Sequence, residues 1–248
     1  MGLRLRFIGC GDAFGTGGRF NTCLLVDDDH GRFLIDFGVT SLVALKKAGI
    51  DPNSIDTIFI THLHGDHFGG LPFFLMDGGY CSKRDTPLTI AGPPGIKTRL
   101  PNLSDALFPD SHKTEWWFGF DLIDMNVGEA NEVCGRTVTP VKVEHPVGDT
   151  PPTALRIETS GRTIAYTGDT QWCEAVFDAS RGTDLFICEC YYDDHRNNGQ
   201  HMNWPTISKH MDQFETDRLV ITHMGPSMLA KVVGMGVEYA EDDKVIEL

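Results

Sequence analysis

Between Thr61 and Gly70 the chain reads Thr-His-Leu-His-Gly-Asp-His-Phe-Gly-Gly, and this stretch constrains the fold more than any other. Three imidazoles and one carboxylate, His62, His64, Asp66 and His67, crowd within six positions. The apolar run Thr57-Ile58-Phe59-Ile60 before them reads as a buried strand, and Phe68 to Met76 after them reads as the start of an apolar helix. The cluster therefore sits on a strand-to-helix loop. Imidazole and carboxylate are ligand types that suit zinc, manganese or iron. Gly65, Gly69 and Gly70 give the backbone room to turn, so that neighbouring side chains can share one space.

Further along, polar groups recur where apolar strands end. Leu34-Ile35 runs into Asp36, Val138 to Val143 runs towards His145, Thr163 to Tyr166 runs into Thr167-Gly168-Asp169, and Leu219 to Thr222 runs into His223. Beside the metal loop, His145 is the natural third imidazole for His62 and His64. Asn21 to Val26 and Arg32 to Ile35 read as a hairpin, Ser41 to Ala48 as a helix, and Pro205 to Phe214 as a helix with proline in its first turn. Leu3 to Ile8 alternates like a half-buried edge strand, and Leu219 to Thr222 is the last clear strand. Leu185 to Cys190 reads as buried, with Cys188 and Cys190 as small core residues around Glu189, followed by a polar loop over 191–200. The glycine-rich segment Gly9 to Arg19 could lay backbone N–H groups against an anion, with Arg19 contributing to substrate binding.

His-x-His-x-Asp-His, together with Thr-Gly-Asp-Thr at 167–170, resembles the metallo-β-lactamase superfamily, and the resemblance covers most of the chain. It implies an α/β fold, a four-layer αββα sandwich, as one domain over residues 1–248. It also implies two divalent metal ions: His62, His64 and His145 on one, Asp66, His67 and His223 on the other, and Asp169 bridging them. Zinc is the expected metal, with manganese or iron also compatible with the ligands. Asp36 is expected to brace the metal-binding loop. The residue at position 64 is His, whereas the di-iron oxidoreductases of the superfamily carry Glu there.

The closest fit is to the ribonuclease Z-like and small phosphodiesterase branch, where a histidine before a late helix contacts the scissile phosphate; His201 stands in that place. The reading is a metal-dependent hydrolase acting on small or cyclic phosphodiesters through an activated water, with Asp66 and His201 as its catalytic residues. Two alternatives remain. One is carbonyl hydrolysis of the lactonase, thioesterase or β-lactamase kind, with Tyr191 or Tyr192 as oxyanion donor. The other is ribonuclease Z-like RNA processing. Against the latter, the interval from His145 to Asp169 is too short for a protruding RNA-gripping arm, and the net charge of −14 disfavours long nucleic acids. The small cyclic-phosphate enzymes of the branch carry a cysteine-rich structural zinc site, which Cys10 and Cys23 do not reproduce. The partner expected is thus a small-molecule phosphodiester, with no membrane association; related proteins allow a homodimer. Seven cysteines without a Cys-x-x-Cys pair, and Arg4 and Arg6 interrupting the first apolar run, point to reduced thiols and a cytoplasmic location.

Overall fold

Period-two alternation along the strands sorts the apolar side chains into three separate cores, and that sorting builds the layers. The computed structural model describes residues 2–195 and 199–248. In chain order come β1 (Arg4–Gly9), β2 (Cys23–Asp28), β3 (Gly31–Ile35), β4 (Thr57–Phe59), β5 (Leu88–Gly92) and β6 (Phe120–Asp124). They are followed by β7 (Asn131–Val133), β8 (Arg136–Lys142), β9 (Thr153–Thr159), β10 (Arg162–Tyr166), β11 (Leu185–Glu189), β12 (Leu219–Thr222) and β13 (Val245–Glu247). One sheet has the order β13-β1-β2-β3-β4-β5-β6 and the other β12-β11-β10-β9-β8-β7. Both are mixed: β3 to β6 are parallel in the first and β10 to β12 in the second, and the remaining pairs are antiparallel.

Phe33 and Ile35 on β3 face the second sheet, where they join Leu185 and Ile187 of β11 in the central core. Leu34, between them, faces outward and packs with Ala44 and Leu45 of α1 (Ser41–Lys47). The same outer core holds Phe68 of α2 (Gly65–Phe68), Leu71 and Phe74 of α3 (Leu71–Met76), and Ile96 and Leu100 of α4 (Ile96–Leu107). On the far side, Phe186 and Cys188 pack with Val176 of α5 (Ala175–Ser180), Ile207 of α6 (Trp204–His210) and Met228 of α7 (Pro226–Leu229). Two mixed sheets face to face with helices outside both make the αββα sandwich. Each fully buried Leu, Ile or Phe contributes roughly 1.5–3 kcal/mol to it.

Several expectations are adjusted. β1 is not an edge strand, because β13 pairs antiparallel along it, and its Leu5 and Phe7 are fully buried in the central core. That pairing joins opposite ends of the sequence, and a three-residue strand carries little periodic signal. The helical turn after the histidine motif starts at Gly65, inside the motif rather than at Phe68. The helix near Pro205 starts at Trp204, where the Asn203 side chain accepts from Thr206 N at 2.9 Å. Of the polar loop expected over 191–200, residues 196–198 lie outside the described residues.

Candidate metal centre

Four strands deliver polar residues to one edge of the sandwich. β3 leads into Asp36, β4 into His62, β10 into Asp169 and β12 into His223. α2 adds Asp66 and His67 from its first turns, and the loop after β8 adds His145. Close backbone approach requires glycine at Gly38, Gly69 and Gly70. A Cβ on Gly70 would lie 2.2 Å from Gly38 O, and one on Gly38 would lie 2.1 Å from Asp66 O. Gly65, by contrast, has open space around it, so the turn there does not depend on its missing side chain.

The seven residues fall into two groups. His62, His64 and His145 offer ring nitrogens within 4.8 Å of one another, and so do the ligand atoms of Asp66, His67, Asp169 and His223. Asp169 stands between them: its Oδ1 is 3.2 Å from His67 Nε2, and its Oδ2 is 3.4 Å from His223 Nε2, 3.8 Å from His145 Nε2 and 3.9 Å from His62 Nε2. Outer partners fix the rings. His67 Nδ1 donates to Asp36 Oδ2 at 2.6 Å, and Asp36 Oδ1 accepts from Thr61 N at 2.8 Å. His145 Nδ1 donates to the Gln200 carbonyl at 2.7 Å, and His223 Nδ1 is 3.4 Å from Thr22 Oγ1. Asp36 thus links the His67 ring to the backbone of Thr61.

Three buried atoms at the centre, His62 Nε2, His67 Nε2 and Asp169 Oδ1, make no hydrogen bond. Buried polar atoms are rarely left this way, and here they converge on one another. The electrostatics agree. Burial pushes the His62 pKa well below the ordinary imidazole value and His145 down to about 4, so both are neutral ligands at pH 7. His67 goes the other way: burial disfavours its charge, but Asp169, Asp66 and Asp36 outweigh burial and raise its pKa well above normal. Carboxylates that force a proton onto a buried imidazole form a site that demands positive charge. The residues present fit divalent metal binding.

A further pair stands beside this centre. Glu189 is fully buried at the end of β11, and its Oε1 accepts from His201 Nδ1 at 3.0 Å and from Thr170 N at 2.8 Å. Burial opposes charge on His201, but Glu189 and Asp169 prevail and raise its pKa to about 9. The His201 ring stacks on Tyr191, centroids 4.8 Å apart and planes 19° apart. From the sequence, Glu189 reads as a residue between two core cysteines. The signal was its phase: Leu185 and Ile187 face the other sheet, so Glu189 does too, at the end where Asp169 emerges.

A cavity of about 440 Å³ opens over these groups, with Asp66, His145, Asp169, His201 and His223 in its wall. Arg19 is not part of that wall; its Nη1 donates to the Ala240 carbonyl at 2.8 Å and lies 3.3 Å from Cys10 Sγ. The glycine-rich loop does not hold its amides ready for an anion either. Asp12 Oδ1 accepts from Phe14 N at 3.2 Å and Thr16 N at 2.9 Å, so an internal carboxylate occupies them.

A sequence model described as Anti-Pycsar protein Apyc1 matches residues 3–238. The chain belongs to this family. Anti-Pycsar Apyc1 membership sits within the metallo-β-lactamase superfamily, on its ribonuclease Z-like side. A ribonuclease Z from Agathobacter rectalis is 26% identical over 256 residues, covering 85% of this chain and 84% of that protein. Among solved structures, the metallo-β-lactamase fold protein YhfI from Bacillus subtilis superposes with a TM-score of 0.77 at 23% identity, covering all of both chains. A diphosphatase from the PhnP family superposes with a TM-score of 0.76 at 18% identity, covering 99% of this chain and 98% of that one. At these identities the two structures establish the fold alone.

Proposed function

We propose that this protein is a metal-dependent phosphodiesterase acting on small or cyclic phosphodiesters. His62, His64 and His145 would hold one divalent ion, Asp66, His67 and His223 the other, with Asp169 shared between them. Zinc is favoured by the imidazoles, and the carboxylates also suit manganese or iron. When bound, such ions supply positive charge that stabilises phosphoryl oxygens and acidifies water.

The observation that carries the reading is the Glu189–His201 pair. With Nδ1 donating to the buried Glu189 carboxylate, which favours the protonated ring, His201 keeps Nε2 for the substrate. Water attacks phosphorus and loses its proton to Asp66, whose carboxylate lies in the cavity wall 3.2 Å from His67. As the P–O ester bond breaks, His201 gives its Nε2 proton to the leaving oxygen. Carbonyl hydrolysis with Tyr191 as donor is disfavoured, because its hydroxyl is bonded to Asp12 and its ring covers His201.

The relatives named ribonuclease Z favour a second reading, RNA cleavage. The segment between His145 and Asp169 argues against it: it holds only β9, β10 and their connections, with no projecting arm. The test uses metal-free protein reloaded with zinc or manganese, offered bis(p-nitrophenyl) phosphate, a precursor transfer RNA and a lactone. Metal-dependent diester turnover that collapses in His201→Ala supports the proposal. Cleavage of the RNA alone moves the assignment to a nuclease, and cleavage of the lactone alone overturns phosphodiester chemistry.

A further inference from the structure

We infer that Tyr191 is a positioning residue that acts through His201: it holds the plane of the His201 ring so that Nε2 meets the leaving oxygen, and Asp12 holds Tyr191 in turn. This rests on the phosphodiesterase reading with His201 as proton donor. Among the described residues the His201 ring makes one hydrogen bond, from Nδ1 to Glu189 at 3.0 Å. One such bond pins a corner of a ring and leaves its plane free to tilt about that point. Proton transfer depends on direction as well as distance, and an offset of about 1 Å can cost about 100-fold in rate. Something else must therefore set the plane. Three rings approach His201. Those of His145 and His223 lie at 5.2 and 5.4 Å, and both residues belong to the metal groups. Tyr191 is the nearest and the most nearly parallel, at 4.8 Å and 19°.

Tyr191 can act as a fixed wall because it is itself seated on several sides. Its hydroxyl donates to Asp12, which is fully buried and also accepts from Phe14 N, Thr16 N and, at 2.6 Å, Thr16 Oγ1. Asn21 Nδ2 holds the Asp12 carbonyl at 2.9 Å, so the anchor does not move with the tyrosine. The Tyr191 carbonyl accepts from Gly225 N at 3.1 Å. A Cβ on Gly225 would lie 2.7 Å from Tyr191 Cε1, so the glycine makes room for the ring. Tyr192 meets that ring edge-on, at 4.8 Å and 72°. With its hydroxyl turned to a buried carboxylate, Tyr191 has no proton to offer the reacting atoms. It lines the cavity and reaches the chemistry through His201. The glycine-rich loop thereby sets the pose of a proton donor that lies far from it in sequence.

The test offers the metal-loaded protein two diesters that differ only in the leaving group. Methyl p-nitrophenyl phosphate has a leaving oxygen that departs readily without a proton, whereas methyl phenyl phosphate gains more from one. The readout is the ratio of kcat/KM for the phenyl ester to that for the p-nitrophenyl ester. Tyr191→Leu removes the stack and is expected to lower the ratio about tenfold. Tyr191→Met, which also fills the space without a flat face, replaces it if Tyr191→Leu does not fold. Tyr191→Phe keeps the stack and loses the tie to Asp12, so its ratio should fall less. The ratio should be lowest in His201→Ala, and adding Tyr191→Leu to that variant should lower it no further, because the two residues act as one unit. In metal-free protein the His201 ring-proton NMR shifts should move in Tyr191→Leu, which lacks the stacked ring, and change little in Tyr191→Phe. An unchanged ratio in Tyr191→Leu overturns the inference even if both esters slow together, since a residue that only supports the fold slows both alike. An equal further fall on top of His201→Ala overturns it too. A wild type that cleaves neither ester overturns the phosphodiesterase reading instead, and a ratio untouched by His201→Ala removes its proton donor; either result takes this inference with it.

Discussion

Two clusters of buried charge lie on either side of the short strand β4, and they are finished to different degrees. At the start of the strand, Asp56 and Thr57 join Asp28 in surrounding the guanidinium of Arg136, which is fully buried. Nε and Nη2 of Arg136 donate to the two oxygens of Asp28 at 2.7 and 3.0 Å, and Nη1 donates to Asp56 at 2.6 Å and Thr57 at 3.0 Å. After the strand, His62 opens a cluster in which three buried atoms have no hydrogen bond at all. The first cluster carries its own cation, and the second gathers the ligand atoms of His and Asp side chains into two groups, the atoms of each within 4.8 Å of one another. A buried charge network that closes on itself is costly to break at any one member, whereas the convergent unbonded His and Asp atoms of an open one suit a divalent cation.

Removing the cation of the closed cluster should have the largest effect on stability. Arg136→Met leaves Asp28 buried without its partner and is expected to cost about 3–5 kcal/mol in denaturant unfolding. Zinc should not restore that loss, whereas zinc should raise the midpoint of the wild type, since the open cluster binds it only when folded. Restoration of Arg136→Met to wild-type stability by zinc would erase the distinction between the clusters.

Loosening the brace of the open cluster should act on metal affinity. Asp36→Asn keeps the shape but weakens the partner of His67 Nδ1, so zinc affinity measured by chelator competition should fall about 10–100-fold. An unchanged affinity would make Asp36 a folding residue only.

The smallest effect concerns the pair next to the open cluster. In metal-free protein, His201 should titrate near pH 9, above the roughly 6.5 of an unfolded imidazole, despite its burial, because Glu189 favours its charge. Its contribution to stability is therefore complete below about pH 6.5 and lost as pH rises through about 9. Glu189→Gln removes the largest upward influence, so an imidazole NMR titration should show the His201 pKa drop towards or below its ordinary value. A pKa still near 9 in the variant would remove Glu189 from the account.

The parts of the site that could be read from sequence are those in which one local stretch carries the chemistry. His62 to His67 share a single loop, and Asp36, Asp169 and His223 each end an apolar strand, where the family resemblance then gives them roles. What stayed hidden depends on contacts between distant segments. Glu189 looks like a core residue until β11 has a face and an end. Whether Arg19 reaches the cavity is decided by Ala240 and Cys10, and the glycine-rich loop's amides are decided by the Asp12 rotamer. The pairing of β13 with β1 joins Glu247 to Arg4, and nothing local announces it. Arg136 is the converse case: as an isolated basic residue it reads as surface, and only the packing of β8 against β2 and β4 makes it the buried cation of the closed cluster.

The central claim is that the open cluster holds two divalent cations on its seven residues. Zinc-edge anomalous diffraction from crystals of zinc-loaded protein tests it most directly. The account predicts two anomalous peaks, one among His62, His64 and His145 and one among Asp66, His67 and His223, with Asp169 touching both. A single peak elsewhere, or none with zinc in excess, would contradict it.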